Sequence, residues 1–164
     1  MSALSGRSRL GIAMTGPLPE SLRRARCACG QIEVHASGEP LRVGLCHCLD
    51  CRKLHAAPVS AFAIFPRSSV LVTGPEQGPL PHSALGTFQR KPGDRRAFCT
   101  RCGAHVFGVQ ERSEEIELFV GSFDETNLFT PTYELWTIRR ERWLGNLPTL
   151  TRHFERDRIE GAEG

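Results

Sequence analysis

Seven cysteines are the residues of this sequence best suited to chemistry, and they fall into three short clusters. The clusters have the spacings Cys-x-Cys, Cys-x-Cys-x-x-Cys and Cys-x-x-Cys, and their members are Cys27, Cys29, Cys46, Cys48, Cys51, Cys99 and Cys102. A disulfide scaffold usually carries an even number of cysteines and cross-links distant segments. An odd count in tight clusters favours metal binding, because a turn that holds two thiolates delivers two ligands to one ion.

The first and last clusters are predicted to form one closed metal site. Each contains two cysteines in a short segment that ends in a glycine, and glycine readily adopts the positive φ that a tight turn needs. Together the two pairs supply four thiolates, and a zinc ion held by four thiolates has no position left for a substrate. The sequence therefore predicts a structural zinc ion that joins the two ends of the fold, bound by Cys27, Cys29, Cys99 and Cys102.

The middle cluster, Cys46, Cys48 and Cys51, supplies three ligands and leaves a fourth position open, which is the arrangement of a catalytic zinc ion. The alternative is a second structural site that is closed by His47 or His55. His47 points away if Cys46 and Cys48 share a strand face, whereas His55 follows Cys51 by four residues and can reach the metal from the next helical turn. An iron–sulfur centre is less favoured, because the other four cysteines already pair off.

The elements that must position these cysteines are mostly strands. Apolar residues recur with a period of two, which is typical of strands with one buried face. The predicted strands lie around Ile32 and Val34, at 59–65, 70–72 and 116–120, and on both sides of a turn at 91–94. One short helix is predicted at about residues 49–56, before Pro58. The sequence therefore predicts a mainly β fold of mostly antiparallel strands, not an α/β fold.

The ends of the chain differ from its centre. Residues 1–22 are rich in arginine, serine, glycine and proline and are predicted to form a flexible arm, with one zinc domain at 23–158 and a tail at 159–164. The chain has 21 Lys and Arg against 18 Asp and Glu, and its basic excess lies within residues 1–26. The rest lacks the basic surface of a nucleic-acid-binding protein. No apolar run is long enough to cross a membrane, and a cytoplasmic location is expected.

Three motifs in register resemble the glutathione-dependent formaldehyde-activating enzyme (GFA) family, which also includes centromere protein V. The resemblance covers about residues 22–158, including the segment with Trp136 and Trp143. The motifs that carry it are Cys27-x-Cys29-Gly30, Cys46-His47-Cys48-x-x-Cys51-Arg52-Lys53 and Phe98-Cys99-x-x-Cys102-Gly103.

The resemblance implies a β-tent of antiparallel sheets with zinc knuckles, a structural zinc ion at the first and last pairs, and a catalytic zinc ion at the middle cluster. The activity it implies is making or breaking the carbon–sulfur bond of S-(hydroxymethyl)glutathione. Arg52 stands where the members most similar to the formaldehyde enzyme carry tryptophan. The expected substrate is therefore a glutathione–aldehyde adduct or a related small molecule.

A zinc ion at the middle cluster would either lower the pKa of the glutathione thiol or polarise the aldehyde oxygen. We favour the first role, because three thiolates already weaken the metal as a Lewis acid. His47, Asp50 and His55 are candidates for proton transfer. Arg52 is the candidate for binding a glutathione carboxylate.

Two alternatives to catalysis follow from the same residues. The protein would act as a zinc-containing module that binds a protein partner, or, by analogy with centromere protein V, as a chromatin-binding protein, which the near-neutral domain disfavours. The oligomeric state is also open, because four aromatic residues suit either a dimer face or the core. These residues are Phe119, Phe123, Phe129 and Trp136.

Overall fold

A computed structural model describes residues 22–158, and these residues form two β-sheets and one short helix. The predicted tail and all of the predicted arm except Leu22 lie outside the described residues. The elements in chain order are β1 (Leu22–Arg26), β2 (Glu33–Ser37), β3 (Arg42–Cys46), α1 (Leu49–His55), β4 (Ser60–Pro66), β5 (Val70–Thr73), β6 (Leu85–Lys91), β7 (Asp94–Cys99), β8 (His105–Gln110), β9 (Glu115–Phe119), β10 (Tyr133–Leu135) and β11 (Arg152–Phe154). The predicted mainly β fold with one short helix is confirmed.

The strands form a small sheet and a large sheet. The small sheet has the order β1-β2-β5, and the large sheet has the order β11-β10-β3-β4-β9-β8-β7-β6. Most pairs are antiparallel, but β10 runs parallel to both β3 and β11. The prediction of mostly antiparallel strands is therefore confirmed, and the parallel pairs lie at one edge of the large sheet. Short strands of three residues carry no sequence pattern that reveals the direction of their pairing.

The two faces of the large sheet have different environments, and β4 shows this most clearly. Ala63 and Phe65 point into the core between the two sheets, where both are fully buried. Phe62 and Ile64 point to the opposite face and pack with the middle cysteine cluster. Because side chains alternate along a strand, a strand covered on both faces appears in the sequence as a continuous apolar run.

Strand β1 lies inside the arginine-rich segment that shows no periodicity. Ala25 is buried and pairs with Val34 of β2. Arg24 and Arg26 point outward, and both donate hydrogen bonds to Asp124. The segment forms a strand because β2, the next strand along the chain, pairs with it, and because Asp124 from a distant part of the chain pairs with its arginines.

The helix begins directly after the second cysteine of the middle cluster. Cys48 is its N-cap residue, and its sulfur accepts a hydrogen bond from the Cys51 amide at 3.3 Å. The helix ends at His55, because Ala56 adopts a left-handed conformation with φ of 47°. Within residues 22–158, α1 is the only α-helix, and no helix there has the length and apolar character needed to cross a membrane.

The four aromatic residues considered for a dimer face lie in the interior or at its edge. Phe119 and Phe123 are buried. Phe129 packs against the core between the sheets, and Trp136 packs against the middle cysteine cluster. Their positions favour a role in packing.

Candidate metal centres

The first and last cysteine pairs meet at one point, although they belong to different sheets. Cys27 and Cys29 lie in the turn after β1, Cys99 ends β7, and Cys102 lies in the following turn. All four sulfur atoms lie within 4.8 Å of one another. The Sγ atoms of Cys27 and Cys29 are 3.6 Å apart, and those of Cys29 and Cys99 are 3.8 Å apart.

These separations fit a metal site and not a disulfide. A disulfide requires a sulfur–sulfur distance of about 2.05 Å, and all seven cysteines are free. Sulfur atoms on a tetrahedral zinc ion with bonds of about 2.3 Å lie about 3.8 Å apart. The donor set and its spacing therefore fit a closed zinc site of four thiolates.

Each of the two turns of this site ends in a glycine whose amide bonds back to the first cysteine of its pair. The Gly30 amide donates to the Cys27 carbonyl at 2.9 Å, and the Gly103 amide donates to the Cys99 carbonyl at 2.8 Å. Both glycines have φ of +74°, in the left-handed region where a side chain is strained. A Cβ added at either position would meet no atom within 4 Å, so the backbone conformation and not crowding requires glycine.

The thiols of this site differ in how readily they ionise. Burial raises the pKa of Cys27 to about 12. Burial also acts to raise the pKa of Cys102, but hydrogen bonds from the backbone of Ala104 and Cys29 outweigh it and lower this pKa to about 6. A bound divalent cation would stabilise the thiolate form of all four cysteines.

The middle cluster comes from one short segment. Cys46 ends β3, Cys48 caps α1, and Cys51 lies in the first turn of the helix. Their three sulfur atoms lie within 4.8 Å of one another, and all three residues are buried. Among residues 22–158, no histidine or carboxylate joins the three sulfur atoms within that distance.

The three thiols of the middle cluster share their protons. The pKa of Cys48 lies well below its ordinary value, because its sulfur accepts hydrogen bonds from Cys46 and Cys51. The pKa values of Cys46 and Cys51 are raised, because each thiol loses a hydrogen bond to a neighbouring sulfur when it ionises. A bound divalent cation would allow all three to be thiolates, so this cluster also fits a metal ion.

Neither histidine considered as a ligand faces the sulfur atoms. His47 is fully buried, and its Nε2 lies 2.8 Å from a carboxylate oxygen of Glu134. The His55 ring packs against Phe119 and His105, with ring centroids 4.3 and 5.4 Å away. The structure thus places both outside the metal-ligand set, as direct coordination would require a different orientation of each ring.

The middle cluster forms the floor of a cavity of about 760 Å³ between α1 and the large sheet. One wall is apolar and includes Phe62, Tyr133 and Trp136. The opposite wall carries ionised side chains from β6, β7 and β9. The fourth position at the three sulfur atoms is therefore accessible to a small molecule that has both apolar and charged parts.

A ladder of ion pairs builds the charged wall. Asp94 is almost fully buried and lies between Arg90 and Arg96, and Arg96 also pairs with Glu117. The guanidinium of Arg96 lies directly over Gly108, where a Cβ would collide with it. Glycine at this position therefore makes room for a buried charge.

Arg90 connects this wall to the middle cluster. Its Nη1 lies 3.5 Å from a carboxylate oxygen of Asp50, which is located between Cys48 and Cys51. Burial acts to lower the pKa of Arg90, but the hydrogen bond to Asp94 and the charges of Asp94 and the cysteines raise it overall. Arg90 therefore remains a cation beside the thiolates. No local sequence signal distinguishes Arg90 from the many other arginines, because only the folding of the sheet brings it close to the middle cluster.

Arg52 does not line the cavity. Its Nη1 donates to the Arg139 carbonyl at 3.0 Å, and its Nη2 pairs with Glu141. Both bonds hold the C-terminal segment against α1. The expectation that Arg52 binds a glutathione carboxylate is therefore not supported by its position. Asp50, the third proton-transfer candidate, does line the cavity.

Comparison with known proteins adds two findings. A solved structure of a Rhodobacter sphaeroides protein from structural genomics aligns with 64% of this chain and 91% of its own length, at 20% identity and a TM-score of 0.49. The family model of the glutathione-dependent formaldehyde-activating enzymes matches residues 22–139, which contain all seven cysteines. This match covers most of the chain and confirms what the three cysteine motifs predicted: the chain belongs to the GFA family.

Proposed function

We propose that this protein is a zinc-dependent carbon–sulfur lyase that makes or breaks the bond between a thiol sulfur and an aldehyde carbon. The expected substrate is a glutathione–aldehyde adduct or a related small molecule. One observation carries the proposal: three buried cysteines, which no fourth ligand from residues 22–158 joins, form the floor of an accessible cavity. A purely structural zinc site has no need for an open position.

The charges around the middle cluster support a substrate thiol as the group that occupies the open metal position. When bound, zinc supplies the positive charge that favours the thiolate form of a substrate thiol at neutral pH. Three protein thiolates and a substrate thiolate would leave this region with a net negative charge. Arg90 lies beside the cluster and offsets part of that charge.

The reaction also needs a route for one proton. In adduct formation the thiol sulfur bonds to the aldehyde carbon, and the proton lost by the thiol is gained by the aldehyde oxygen. Of the three proton-transfer candidates, only Asp50 lines the cavity. We assign this proton transfer to Asp50, whose carboxylate Arg90 holds at the cavity mouth.

The proposed location of the reaction is the cytoplasm. The reduced thiol pool there keeps the metal-binding cysteines and the substrate thiol from forming disulfides. The basic segment at residues 1–26 is not needed for this chemistry, and nucleic acid is not among the proposed partners.

The first test is the metal content of protein purified without chelator, measured by mass spectrometry beside the absorption spectrum. Two zinc ions per chain without visible absorption are expected. The second test is the exchange rate between free and glutathione-bound ¹³C-formaldehyde, measured by NMR with and without enzyme. The enzyme is expected to accelerate exchange, and removal followed by return of zinc should abolish and restore the effect.

Two results would contradict the proposal in different ways. Iron with visible absorption bands would indicate redox chemistry and would contradict the proposed lyase activity. Two zinc ions without acceleration for glutathione or other small thiols, tested with several aldehydes, would favour the zinc-containing module that binds a protein partner.

A further inference from the structure

A buried carboxylate behind the middle cluster is not used by the proposed chemistry. Glu134 is the central residue of β10, which lies between β3 and β11, and its side chain is 1% exposed. Its two oxygens accept hydrogen bonds from three side chains, which come from three separate segments. The donors are His47, Arg140 and His153.

The contact with His47 reaches the metal-binding segment directly. His47 stands between Cys46 and Cys48, and it is held twice by β10. Its backbone amide donates to the Leu135 carbonyl at 3.0 Å, and its Nε2–H donates to Glu134 at 2.8 Å. Because the ring is fixed on one side of the segment, the cysteines on either side of it face the opposite side.

The other two contacts connect Glu134 to the C-terminal part of the chain. His153 Nδ1 lies 2.6 Å from the second carboxylate oxygen, and Arg140 Nη1 lies 3.3 Å from the same oxygen. Arg140 also binds the Gly145 carbonyl and the Asn146 side chain. Burial acts to raise the pKa of Glu134, but the hydrogen bonds from His153 and His47 and the charge of Arg140 hold it below its usual range. Glu134 is therefore ionised and fully paired.

We propose that Glu134 is a positioning residue for the middle metal centre, which it orients through His47, and that the segment from Arg140 to His153 is part of this centre's support. This segment lies beyond the part of the chain that the family model matches. A partner bonded directly to a metal ligand commonly changes metal affinity by about 10- to 100-fold when it is removed. Glu134 bonds to His47, which lies between two ligands and is not one itself, so its effect should lie at or below the lower end of that range. The inference rests on the proposed function only in requiring that the middle cluster binds a metal ion.

The chain offers a matched control in the other sheet. Glu33 is also a buried carboxylate beside a buried histidine, and its Oε2 lies 3.3 Å from Nε2 of His35. Glu33 and His35 belong to β2 and make no contact with the middle cluster. Glu33→Gln and Glu134→Gln thus remove the same charge from similar environments at different sites.

The test is the rate at which full-length protein releases zinc to a chromogenic chelator. Wild type is expected to release two ions in two phases, with the closed site slower. Glu134→Gln should accelerate only the phase of the middle cluster, by up to about 10-fold, whereas Glu33→Gln should leave that phase unchanged. Equal release from the middle cluster in wild type and Glu134→Gln would overturn the inference, as would equal acceleration of both phases.

Hydrogen exchange of the same purified proteins separates this inference from the proposed function. Glu134→Gln should increase exchange in a peptide spanning residues 42–48, and Glu33→Gln should not. If wild type holds only one zinc ion, the proposed function fails, and unchanged exchange in this peptide would then refute the role of Glu134. If Glu134→Gln does not fold, His153→Ala removes one half-exposed donor to Glu134 instead, and unchanged zinc release and exchange in that variant would overturn the inference.

Discussion

The two cysteine clusters differ in both exposure and ligand number, and the more buried cluster is the one that we propose to be catalytic. In the closed cluster Cys29 and Cys102 reach the protein surface, whereas all three cysteines of the middle cluster are buried. The more exposed cluster has four thiolates and no position for a substrate. The buried cluster has three and lies on the floor of a cavity. The number of protein ligands, and not solvent contact, distinguishes a structural from a catalytic arrangement.

The clusters also differ in what they hold together. The closed cluster takes one pair of cysteines from the turn after β1 in the small sheet and the other from the end of β7 in the large sheet. The middle cluster is contained in residues 46–51. Loss of the first should therefore separate the sheets, and loss of the second should disturb one local segment.

The largest effect is expected from Cys99→Ser, which removes a fully buried ligand of the closed cluster. A structural zinc site contributes about 10–16 kcal/mol to folding in small zinc domains, and a whole domain is stable by only about 5–15 kcal/mol. The variant should fail to fold or should melt far below wild type. Circular dichroism and zinc content measure this, and a melting temperature within about 3 °C of wild type would show that the cluster does not hold the sheets together.

Cys46→Ser is expected to separate catalysis from folding. The variant should keep its fold and one zinc ion, because the closed cluster is intact, and it should lose the second ion. Acceleration of ¹³C-formaldehyde exchange should fall at least about 1000-fold, since the open metal position is lost. Wild type stripped of zinc and reloaded is the control. Full activity of the variant would remove the middle cluster from the mechanism.

Arg90→Met should have a smaller effect that appears mainly in substrate binding. The variant removes the cation beside the three thiolates, so an entering thiolate meets more negative charge. KM for the thiol is expected to rise about tenfold, which corresponds to about 1.4 kcal/mol. Arg95→Met is the matched control, because Arg95 pairs with Glu111 at the surface and does not line the cavity. Equal KM values for the two variants would assign no role to Arg90.

The smallest effect concerns the contact between the helix of the middle cluster and the strand that leaves the closed cluster. Burial, followed by the charges of His105 and Arg96, lowers the pKa of His55 to about 4. An unfolded histidine titrates near 6.5, so between these pH values the unfolded state binds the proton and the folded state does not. The stabilising effect of neutral His55 is present above about pH 6.5 and is lost as the pH falls toward 4.

The free energy of unfolding should therefore fall more steeply between pH 6.5 and 4 in wild type than in His55→Phe. Denaturant unfolding at several pH values measures the difference between the two proteins, and comparison of the two cancels the acid sensitivity of the metal-binding thiolates. Parallel curves would mean that His55 titrates normally in the folded protein.

The sequence predicted those elements of the fold that depend on a local pattern of residues. Alternating apolar residues predicted β2 and β9, the continuous apolar run at 59–65 predicted β4, and the turn at 91–94 predicted β6 and β7. The short helix was predicted from the segment that ends before Pro58. Strand β1 was not predicted, because its arginine-rich segment has no apolar alternation and the Asp124 carboxylate that pairs with its arginines is distant in sequence. The parallel pairing of β10 was not predicted either, because a strand of three residues carries no signal of its direction.

The candidate site divides in the same way. The spacing of the cysteines alone was enough to assign four of them to one metal site and three to another. A turn fixes the distance between ligands that lie two or three residues apart. Arg52 was selected because it follows Cys51 in sequence, yet it points toward Glu141 and away from the cavity. A residue next to a ligand in a helix lies on a different face, so adjacency in sequence did not give adjacency in space.

The sequence by itself determined the family, the two groups of cysteines and the mainly β architecture, because each depends on short spacings and on alternation along a strand. Only the tertiary structure decided which side chains surround those cysteines. Arg90 of β6 lies 3.5 Å from Asp50 between two of the cysteines, and Glu134 reaches His47 because β10 pairs with β3. Sheet pairing joins segments that are far apart in the chain, and no local pattern records which charged residue will lie beside which thiolate.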